Sequence, residues 1–274
     1  MAKETENILE IRALHKSFGD NEILKGLNLE IQEGKLYGLV GKNGAGKTTL
    51  YRLLLGLSFP NSGEICFSDK YKNLFDFRAK IGYFLDDCFF PGMTAKQNID
   101  YNCRRLGLNV TEESARVLKI VGLDKIKNKY SGFSMGEKRR LGIAFAILGD
   151  PDLLILDEPI NGLDPVGVKD VRKLIKELNT KYGKTIVVSS HVLAELENTV
   201  DHFAILNDGR IIKMLSKDEL SNASAVIRVK PEDKQRAIQV LRDAGFEIGE
   251  GQGNESLEDY FFDVVNKDGG EKNA

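Results

Sequence analysis

The sequence predicts an α/β fold around a parallel β-sheet, on three observations. The apolar stretch Leu36–Val40 leads straight into a glycine-rich loop. A second apolar run, Leu153–Leu156, ends in two adjacent acids. A third strand is expected at Thr185–Ser189, after a helix from about Val166 to Lys181. Continuous apolar runs are typical of parallel strands that are buried on both faces, so these segments indicate the core of such a sheet.

The glycine-rich loop has the spacing of a phosphate-binding loop. Residues 41–48 fit the pattern G-x-x-x-x-G-K-[S/T], and a helix is expected to begin near Lys47. Glycines let the backbone N–H groups point inward at phosphate oxygens, and the helix dipole adds positive potential. Lys47 is then expected to reach the β- and γ-phosphates, and Thr48 to offer a hydroxyl to Mg²⁺. A flexible glycine loop without a ligand is the alternative. The expected nucleotide-binding residues here are Gly41, Asn43, Gly44, Ala45, Gly46, Lys47, Thr48 and Thr49.

The two acids after the second strand are candidates for metal binding and catalysis. Side chains alternate across a strand, so Asp157 and Glu158 point in different directions and can hold different roles. Asp157 is expected to hold Mg²⁺, and Glu158 to polarise the water that attacks the γ-phosphate. Solvated residues at the start of a loop are the alternative, which the neighbouring phosphate loop disfavours.

The remaining elements follow in order along the chain. Alternating residues predict strands at Ile8–Leu14 and Glu22–Ile31, with a turn at Glu33 and Gly34. From about Ile99 to Leu148 the pattern is mostly helical. A helical insert therefore separates the phosphate loop from the acidic strand.

A second anion site is expected inside the helical insert. Ser134 and Gly136 stand at the start of a helix, where a hydroxyl and free N–H groups point outward. A serine-capped helix without function is the alternative. The basic run Lys138–Arg140 that follows is by itself most often a solvated face.

This stretch resembles the signature motif of ATP-binding cassette (ABC) ATPases, in which Leu-Ser-Gly-Gly-Gln begins the helix. Ser134 and Gly136 match the motif, whereas Phe133, Met135 and Glu137 depart from it. The match is one of several that fall in the family's order along the chain.

Three further segments extend the resemblance over about Ile8 to Ser216. Phe18 resembles the aromatic that stacks on adenine, and residues 161–164, which end in Asp164, resemble the D-loop. His191 resembles the switch histidine that contacts the γ-phosphate. Taken singly, these residues would be read as a core aromatic, a turn and a polar cap.

The resemblance implies a P-loop NTPase core of the ABC ATPase type, with an antiparallel β subdomain and a helical insert. The ABC domain is expected at residues 1–220, its helical signature subdomain at about 88–150, and a small α/β C-terminal extension with a frayed tail at 221–274. ATP and Mg²⁺ are the implied cofactors. Family members form homodimers, or dimers with a related ATPase, in which Ser134 of one copy would contact the γ-phosphate held by the other.

One departure from the family pattern concerns the metal. Most members have a glutamine after the strand that ends near Leu85, whereas this chain has Asp86. A carboxylate can still ligate Mg²⁺, with a stronger dependence on Mg²⁺ concentration. An acid at this point is similar to the ATP-binding subunits of bacitracin-type and lantibiotic exporters. A neutral substitution in a loop is the alternative.

Composition is compatible with a peripheral, cytoplasmic ATPase. The chain has 274 residues, 42% of them hydrophobic, and a formal net charge of −2, which gives no general attraction to nucleic acid. Its three unpaired cysteines fit a reducing compartment. The charged start Met1–Glu6 argues against a secretory signal, and the longest apolar helical stretch, Leu141–Leu148, is far short of a membrane span. A membrane role is therefore expected through a separate permease, at the inner face of the cell membrane.

Two functions of different class remain. The first is the ATP-hydrolysing subunit of an ABC transporter, with Asp86 and the chain ending Ser256–Phe262 favouring an exporter. The alternative is a soluble single-cassette ABC ATPase of the iron–sulfur assembly type. A small-molecule kinase explains neither Ser134 and Gly136 nor residues 161–164. Beyond Ser216 we expect a strand at Val226–Lys230 and an amphipathic helix at Glu232–Ala244.

Overall fold

The computed structural model describes residues 6–84, 89–190, 193–222 and 234–243, together with residues 260, 261, 264, 265 and 268. Its main element is a six-stranded sheet in the order β5-β6-β7-β3-β8-β9. The strands are β3 (Leu36–Val40), β5 (Ile81–Phe84), β6 (Leu153–Leu156), β7 (Thr185–Ser190), β8 (His202–Asn207) and β9 (Arg210–Ser216). All neighbouring pairs are parallel except β8 and β9, which form an antiparallel hairpin at the edge. The predicted α/β fold is confirmed.

A second, antiparallel sheet packs over one face of the first. It has the order β2-β1-β4, from β1 (Asn7–Phe18), β2 (Asn21–Gln32) and β4 (Ser62–Phe67). Alternation in the sequence predicted the first two strands, and both are longer than predicted because their exposed ends lack the apolar pattern.

Helices connect the strands and fill the region between β5 and β6. They are α1 (Lys47–Leu54), α2 (Leu74–Arg78), α3 (Ala95–Arg105), α4 (Val110–Ile120), α5 (Met135–Ala146), α6 (Pro165–Thr180), α7 (Leu193–Glu197), α8 (Lys217–Asn222) and α9 (Lys234–Asp243). The helical insert consists of α3, α4 and α5, with a short 3₁₀ turn at Tyr130–Gly132. Thr94 begins α3 with a capping box to Gln97, which satisfies the first free N–H groups of that helix.

The central sheet separates two hydrophobic cores. On β6, Leu154 and Leu156 face the helical insert and α6, whereas Leu153 and Ile155 face α1 and the antiparallel sheet. All four are fully buried. Complete burial on both faces explains why this strand reads as an unbroken apolar run, and each such side chain contributes about 1.5–3 kcal/mol to folding.

Several predictions from the sequence concern residues that lie outside the described ones. Asp86 and His191 are among them, as is the predicted strand Val226–Lys230. The predicted helix at 232–244 corresponds to α9. Across the described ranges, no helix combines the length and apolar character that a membrane span requires.

Candidate functional site

The phosphate loop joins β3 to α1 in a conformation that requires glycine at two positions. A Cβ atom added to Gly41 would lie 2.7 Å from the backbone oxygen of Leu206. Gly46 has a φ of 112°, and a Cβ there would lie 2.8 Å from the Leu24 side chain. The loop is therefore held against β8 on one side and β2 on the other, with α1 beginning directly after it.

Lys47 is the charged centre of this loop. Its side chain is buried, and its ammonium group donates to the carbonyl oxygen of Gly41. Burial lowers the pKa of Lys47, and the negative charges of Glu158 and Asp157 oppose that shift. Thr48, the next residue, is exposed at the start of α1. A cation, the first N–H groups of a helix and an exposed hydroxyl thus meet at one point, as phosphate binding requires.

The two acids lie at the end of β6. Asp157 is half-buried, and its Oδ1 accepts a 2.5 Å hydrogen bond from the Ser189 hydroxyl. Burial raises the pKa of Asp157, and the nearby Glu158 raises it further, against the opposing effect of that hydrogen bond. The Ser189 hydrogen bond and the Lys47 charge therefore compensate the carboxylate only in part, which suits a cation ligand.

Glu158 has an unusual backbone. Its φ of 49° is in the left-handed region, which residues other than glycine seldom adopt. Its N–H donates to Ser189 Oγ at 3.0 Å, and its carbonyl oxygen accepts from the N–H of Asn161 at 3.2 Å. Strained backbone of this kind is concentrated at functional sites, where surrounding contacts hold it.

These groups come together because parallel strands end at one edge of the sheet. In the strand order, β7 lies between β6 and β3, so Ser189 on β7 stands between the acids and the phosphate loop. Lys47, Asp157 and Glu158 are close enough that their charges affect one another. Ligands of open α/β sheets bind at this carboxyl edge.

Ser134 and Gly136 stand at the start of α5. Ser134 caps the helix: its Oγ accepts from Glu137 N–H at 3.2 Å, and its own N–H donates to the Glu137 carboxylate at 2.8 Å. Glu137 is the position at which the signature motif has glutamine, so the departure preserves the capping box. Among the described residues, an added Cβ at Gly136 would approach only Gly167, at 3.9 Å, so their packing does not require glycine at this position.

Asp164 begins α6 and faces the start of α5. Its Oδ1 accepts from Gly167 N–H at 2.9 Å, and Pro165 occupies the first helical position. A cleft of about 440 Å³ lies between the two helix starts. Its lining includes Ser134, Gly136 and Asp164 but, among the residues described, none from the phosphate loop.

The basic run after the signature serine is partly packed and partly exposed. The Lys138 ammonium lies 5.3 Å from the Tyr130 ring centroid, and the Arg139 guanidinium lies 5.6 Å from that of Phe84. Arg140 is within 3.4 Å of a backbone carbonyl oxygen at the end of α4. The part-exposed run is therefore more than the solvated face that such a run most often is by itself, because its stems and cations cover aromatic and backbone groups of the insert and of β5.

Phe18 ends β1 with about half of its surface exposed, 51%. The Lys16 ammonium lies 4.8 Å from its ring centroid. The same hairpin contacts the phosphate loop through Leu24 and Gly46. An exposed aromatic on the hairpin that contacts the loop is available for stacking on a base. His191 and Asp86, predicted for this site, lie outside the described residues.

Sequence reasoning missed two residues of this site, Ser189 and Tyr51. Ser189 joins both acids, and the fully buried Tyr51 lies on α1 beside them. In the sequence, the position of Ser189 at the end of a predicted parallel strand is the feature that indicates a place near the site.

The sequence is similar to ATP-binding proteins of ABC transporters. The ABC transporter profile matches residues 24–161. The bacitracin transport ATP-binding protein BcrA of Bacillus licheniformis is 39% identical over 246 residues, covering 88% of this chain and 80% of the relative. The lantibiotic transport ATP-binding protein SrtF of Streptococcus pyogenes is 40% identical over 208 residues, covering 75% and 89% respectively.

The fold is shared with solved structures of the same family. A subunit of the cbiONQ ABC transporter complex of Clostridium perfringens superposes with a TM-score of 0.72 at 28% identity, over 89% of this chain and 100% of that one. Fold, phosphate loop and sequence agree, and the chain belongs to the ABC transporter family as an ATP-binding subunit that hydrolyses ATP.

Proposed function

We propose that this chain is the ATPase of an exporter: two copies bind ATP between them, and its hydrolysis drives a separate membrane permease. The observation that carries the proposal is the division of the site into two parts. Lys47 and the two acids form one half at the carboxyl edge of the sheet. Ser134, Gly136 and Asp164 line a different cleft. A second copy brings the two halves together over one nucleotide.

The first half binds the triphosphate and orients the attacking water. The N–H groups of residues 43–49 and the Lys47 ammonium bind the β- and γ-phosphates. Glu158 accepts a hydrogen bond from the attacking water and takes its proton as the bond to the γ-phosphorus forms. The bond from that phosphorus to the β,γ-bridging oxygen breaks, and ADP leaves. The left-handed backbone of Glu158 is held by hydrogen bonds to Ser189 and Asn161.

Mg²⁺ fits the oxygen groups that the chain supplies here. The Thr48 hydroxyl and the Asp157 carboxylate would hold it. Burial raises the pKa of Asp157, and a bound cation would stabilise the charged form of this carboxylate. When bound, Mg²⁺ neutralises charge on the phosphate oxygens. Asp86 is proposed as a further metal ligand and His191 as a γ-phosphate contact, both from their place in the sequence motifs.

The second half acts on the nucleotide held by the partner copy. The Ser134 hydroxyl and the first N–H groups of α5 are directed out of the helix start and are suited to the γ-phosphate. Asp164 lies across the same cleft. Phe18 is suited to stack on the adenine at the other end of the nucleotide, in the copy that holds its phosphates.

A role in transport is supported by the relatives. BcrA and SrtF are named for transport of bacitracin and of a lantibiotic, and this chain shares 39% and 40% identity with them. We infer an exporter of the same type, with the chain cytoplasmic and bound to its permease at the inner face of the membrane.

The experiment that tests this function is a pull-down of tagged Glu158→Gln protein with Mg·ATP from detergent-solubilised native cells. We expect a multi-span membrane protein at about one copy per ATPase. Lys47→Ala protein, impaired in nucleotide binding, serves as the matched control for ATP-dependent assembly. Recovery of soluble iron–sulfur assembly proteins, with no membrane protein, would overturn the transporter assignment.

A further inference from the structure

Tyr51 is a buried tyrosine whose hydroxyl lacks the partner that burial normally demands. It lies on α1, one turn after Lys47, and its side chain is fully buried. Within the described part of the chain, its hydroxyl makes no hydrogen bond of normal geometry. Leaving a buried hydroxyl unpaired destabilises a protein, and phenylalanine would fill the same space without that cost. The hydroxyl therefore calls for an explanation.

Ser189 lies close to Tyr51 and has a group that can use the Tyr51 hydroxyl. A serine hydroxyl has one hydrogen to donate and two lone pairs to accept with. Ser189 donates its hydrogen to Asp157 Oδ1 and accepts one hydrogen from Glu158 N. One lone pair of the Ser189 hydroxyl is left. The Tyr51 O–H is close enough to interact with that hydroxyl and with the Asp157 charge. A hydrogen bond from Tyr51 to this lone pair would complete the set.

We propose that Tyr51 and Ser189 form a buried hydroxyl pair that positions the two acids of the ATPase site. Tyr51 donates to Ser189, and Ser189 in turn donates to Asp157 and accepts from the backbone of Glu158. Both are positioning residues, since they act through the acids and do not touch the nucleotide. The inference rests on the proposed roles of Asp157 and Glu158 in metal binding and water activation.

The pair explains how one serine can set two acids at once. The bond to Asp157 fixes the rotamer of the proposed metal ligand, and the bond from Glu158 N–H holds a left-handed backbone that is otherwise unfavourable. The parallel register of β6 and β7 pairs Leu156 with Val188, and this places Ser189 next to Asp157. Donation from Tyr51 polarises the Ser189 hydroxyl and strengthens its bond to the carboxylate.

Ser189→Ala is the first test, with ATP hydrolysis and Mg²⁺ dependence as readouts. We expect kcat to fall about 10- to 100-fold, as when groups that orient metal ligands are removed. The Mg²⁺ concentration for half-maximal activity should rise, while ATP binding in EDTA stays unchanged. Ser189→Thr, which retains a hydroxyl, should keep more activity than Ser189→Ala.

Thr185→Val is the matched control. Thr185 begins the same strand, is equally buried, and accepts a backbone N–H, from Gly34 at 2.9 Å, but it lies at the opposite end of β7. Its loss should leave the Mg²⁺ dependence as in the wild type. The proposal for Ser189 would be overturned if both substitutions changed the Mg²⁺ dependence equally. It would also be overturned if Ser189→Ala left the Mg²⁺ dependence unchanged.

Tyr51→Phe tests the other member of the pair. Loss of the bond to Ser189 should lower the Tm of the protein, by about 2–4 °C for each 1 kcal/mol lost. The same substitution should lower kcat several-fold and raise the Mg²⁺ requirement in the same direction as Ser189→Ala. A raised Tm with wild-type turnover would show that the hydroxyl has no positioning role.

Two different results distinguish failure of the hydroxyl pair from failure of the proposed ATPase function. Wild-type protein that fails to hydrolyse Mg·ATP when assembled would contradict the function itself. Active wild-type protein, with Ser189→Ala and Tyr51→Phe equally active, would contradict only the hydroxyl pair. In the double variant, we expect a loss smaller than the product of the single losses, because both residues act through one chain of bonds.

Discussion

The ammonium group of Lys47 donates to the carbonyl oxygen of Gly41, six residues earlier in the same loop. Lys47, the proposed phosphate-binding lysine, is thus folded back across the loop. Because the ammonium is buried, its alternative partners are few, and the Gly41 carbonyl compensates part of the lost hydration. ATP binding replaces this neutral acceptor by charged phosphate oxygens, which accept stronger hydrogen bonds.

Lys47→Ala should weaken ATP binding by roughly 10- to 100-fold, the equivalent of about 1.5–3 kcal/mol for a hydrogen bond to a charged group. Lys42→Ala, in the same loop but with an exposed side chain, is the control and should have a much smaller effect. Equilibrium binding of a fluorescent ATP analogue measures both. Comparable losses would mean that the loop attracts nucleotide only by general positive charge.

Glu158→Gln should bind ATP with little change but hydrolyse it at least about 100-fold more slowly, because the amide cannot take a proton from water. With Mg·ATP, we expect the variant to accumulate as a dimer on size-exclusion chromatography. Glu177→Gln, on the partly exposed surface of α6, should turn over ATP like the wild type. A rapidly hydrolysing Glu158→Gln protein is incompatible with the assignment of this residue as the base.

Ser134→Arg should abolish ATP turnover while leaving nucleotide binding to the isolated chain nearly intact. The reason is that Ser134 lines a cleft apart from the phosphate loop and would contact only the partner's nucleotide. Ser131→Arg, at an exposed serine of the preceding turn, is the matched control for added charge and bulk. If Ser134→Arg protein loses ATP binding as a monomer, this serine belongs to the pocket of its own chain.

Asp157→Asn should make the nucleotide-free protein more stable near neutral pH. Burial raises the pKa of Asp157, so this group favours folding when it is protonated. Its contribution is complete below the ordinary carboxyl pKa of about 3.9 and is lost as pH rises through the folded value. The gain in Tm should therefore be larger at pH of about 7 than at about 4, whereas activity is lost.

Thermal melts across that pH range, with and without Mg·ATP, measure the effect. Exposed Asp69→Asn should show no comparable gain. A stabilisation that does not depend on pH would be evidence against an uncompensated charge at Asp157.

Much of the central fold could be predicted because its strands are buried on both faces. Leu36–Val40 and Leu153–Leu156 were predicted with the observed bounds, since a continuous apolar run has few other interpretations in a soluble domain. The helix that begins at Lys47 follows from the glycine spacing before it. The prediction was weaker where tertiary contacts decide the surroundings of a side chain. The run Lys138–Arg140 resembled a solvated face, yet two of its cations lie over the rings of Tyr130 and Phe84.

By itself, the sequence determined the local chemistry: a glycine loop with Lys47, an acidic pair after a buried strand, and a serine-capped helix. These features depend on backbone preferences and on hydrogen bonds between residues close in sequence. One example is the bond from the Glu137 N–H to the Ser134 hydroxyl. Only the tertiary structure decided that Ser189 bonds to Asp157, 32 residues away, and that Tyr51 lies beside them. Such contacts follow from strand order and register, which are set by packing over the whole sheet and have no signature in a local stretch of residues.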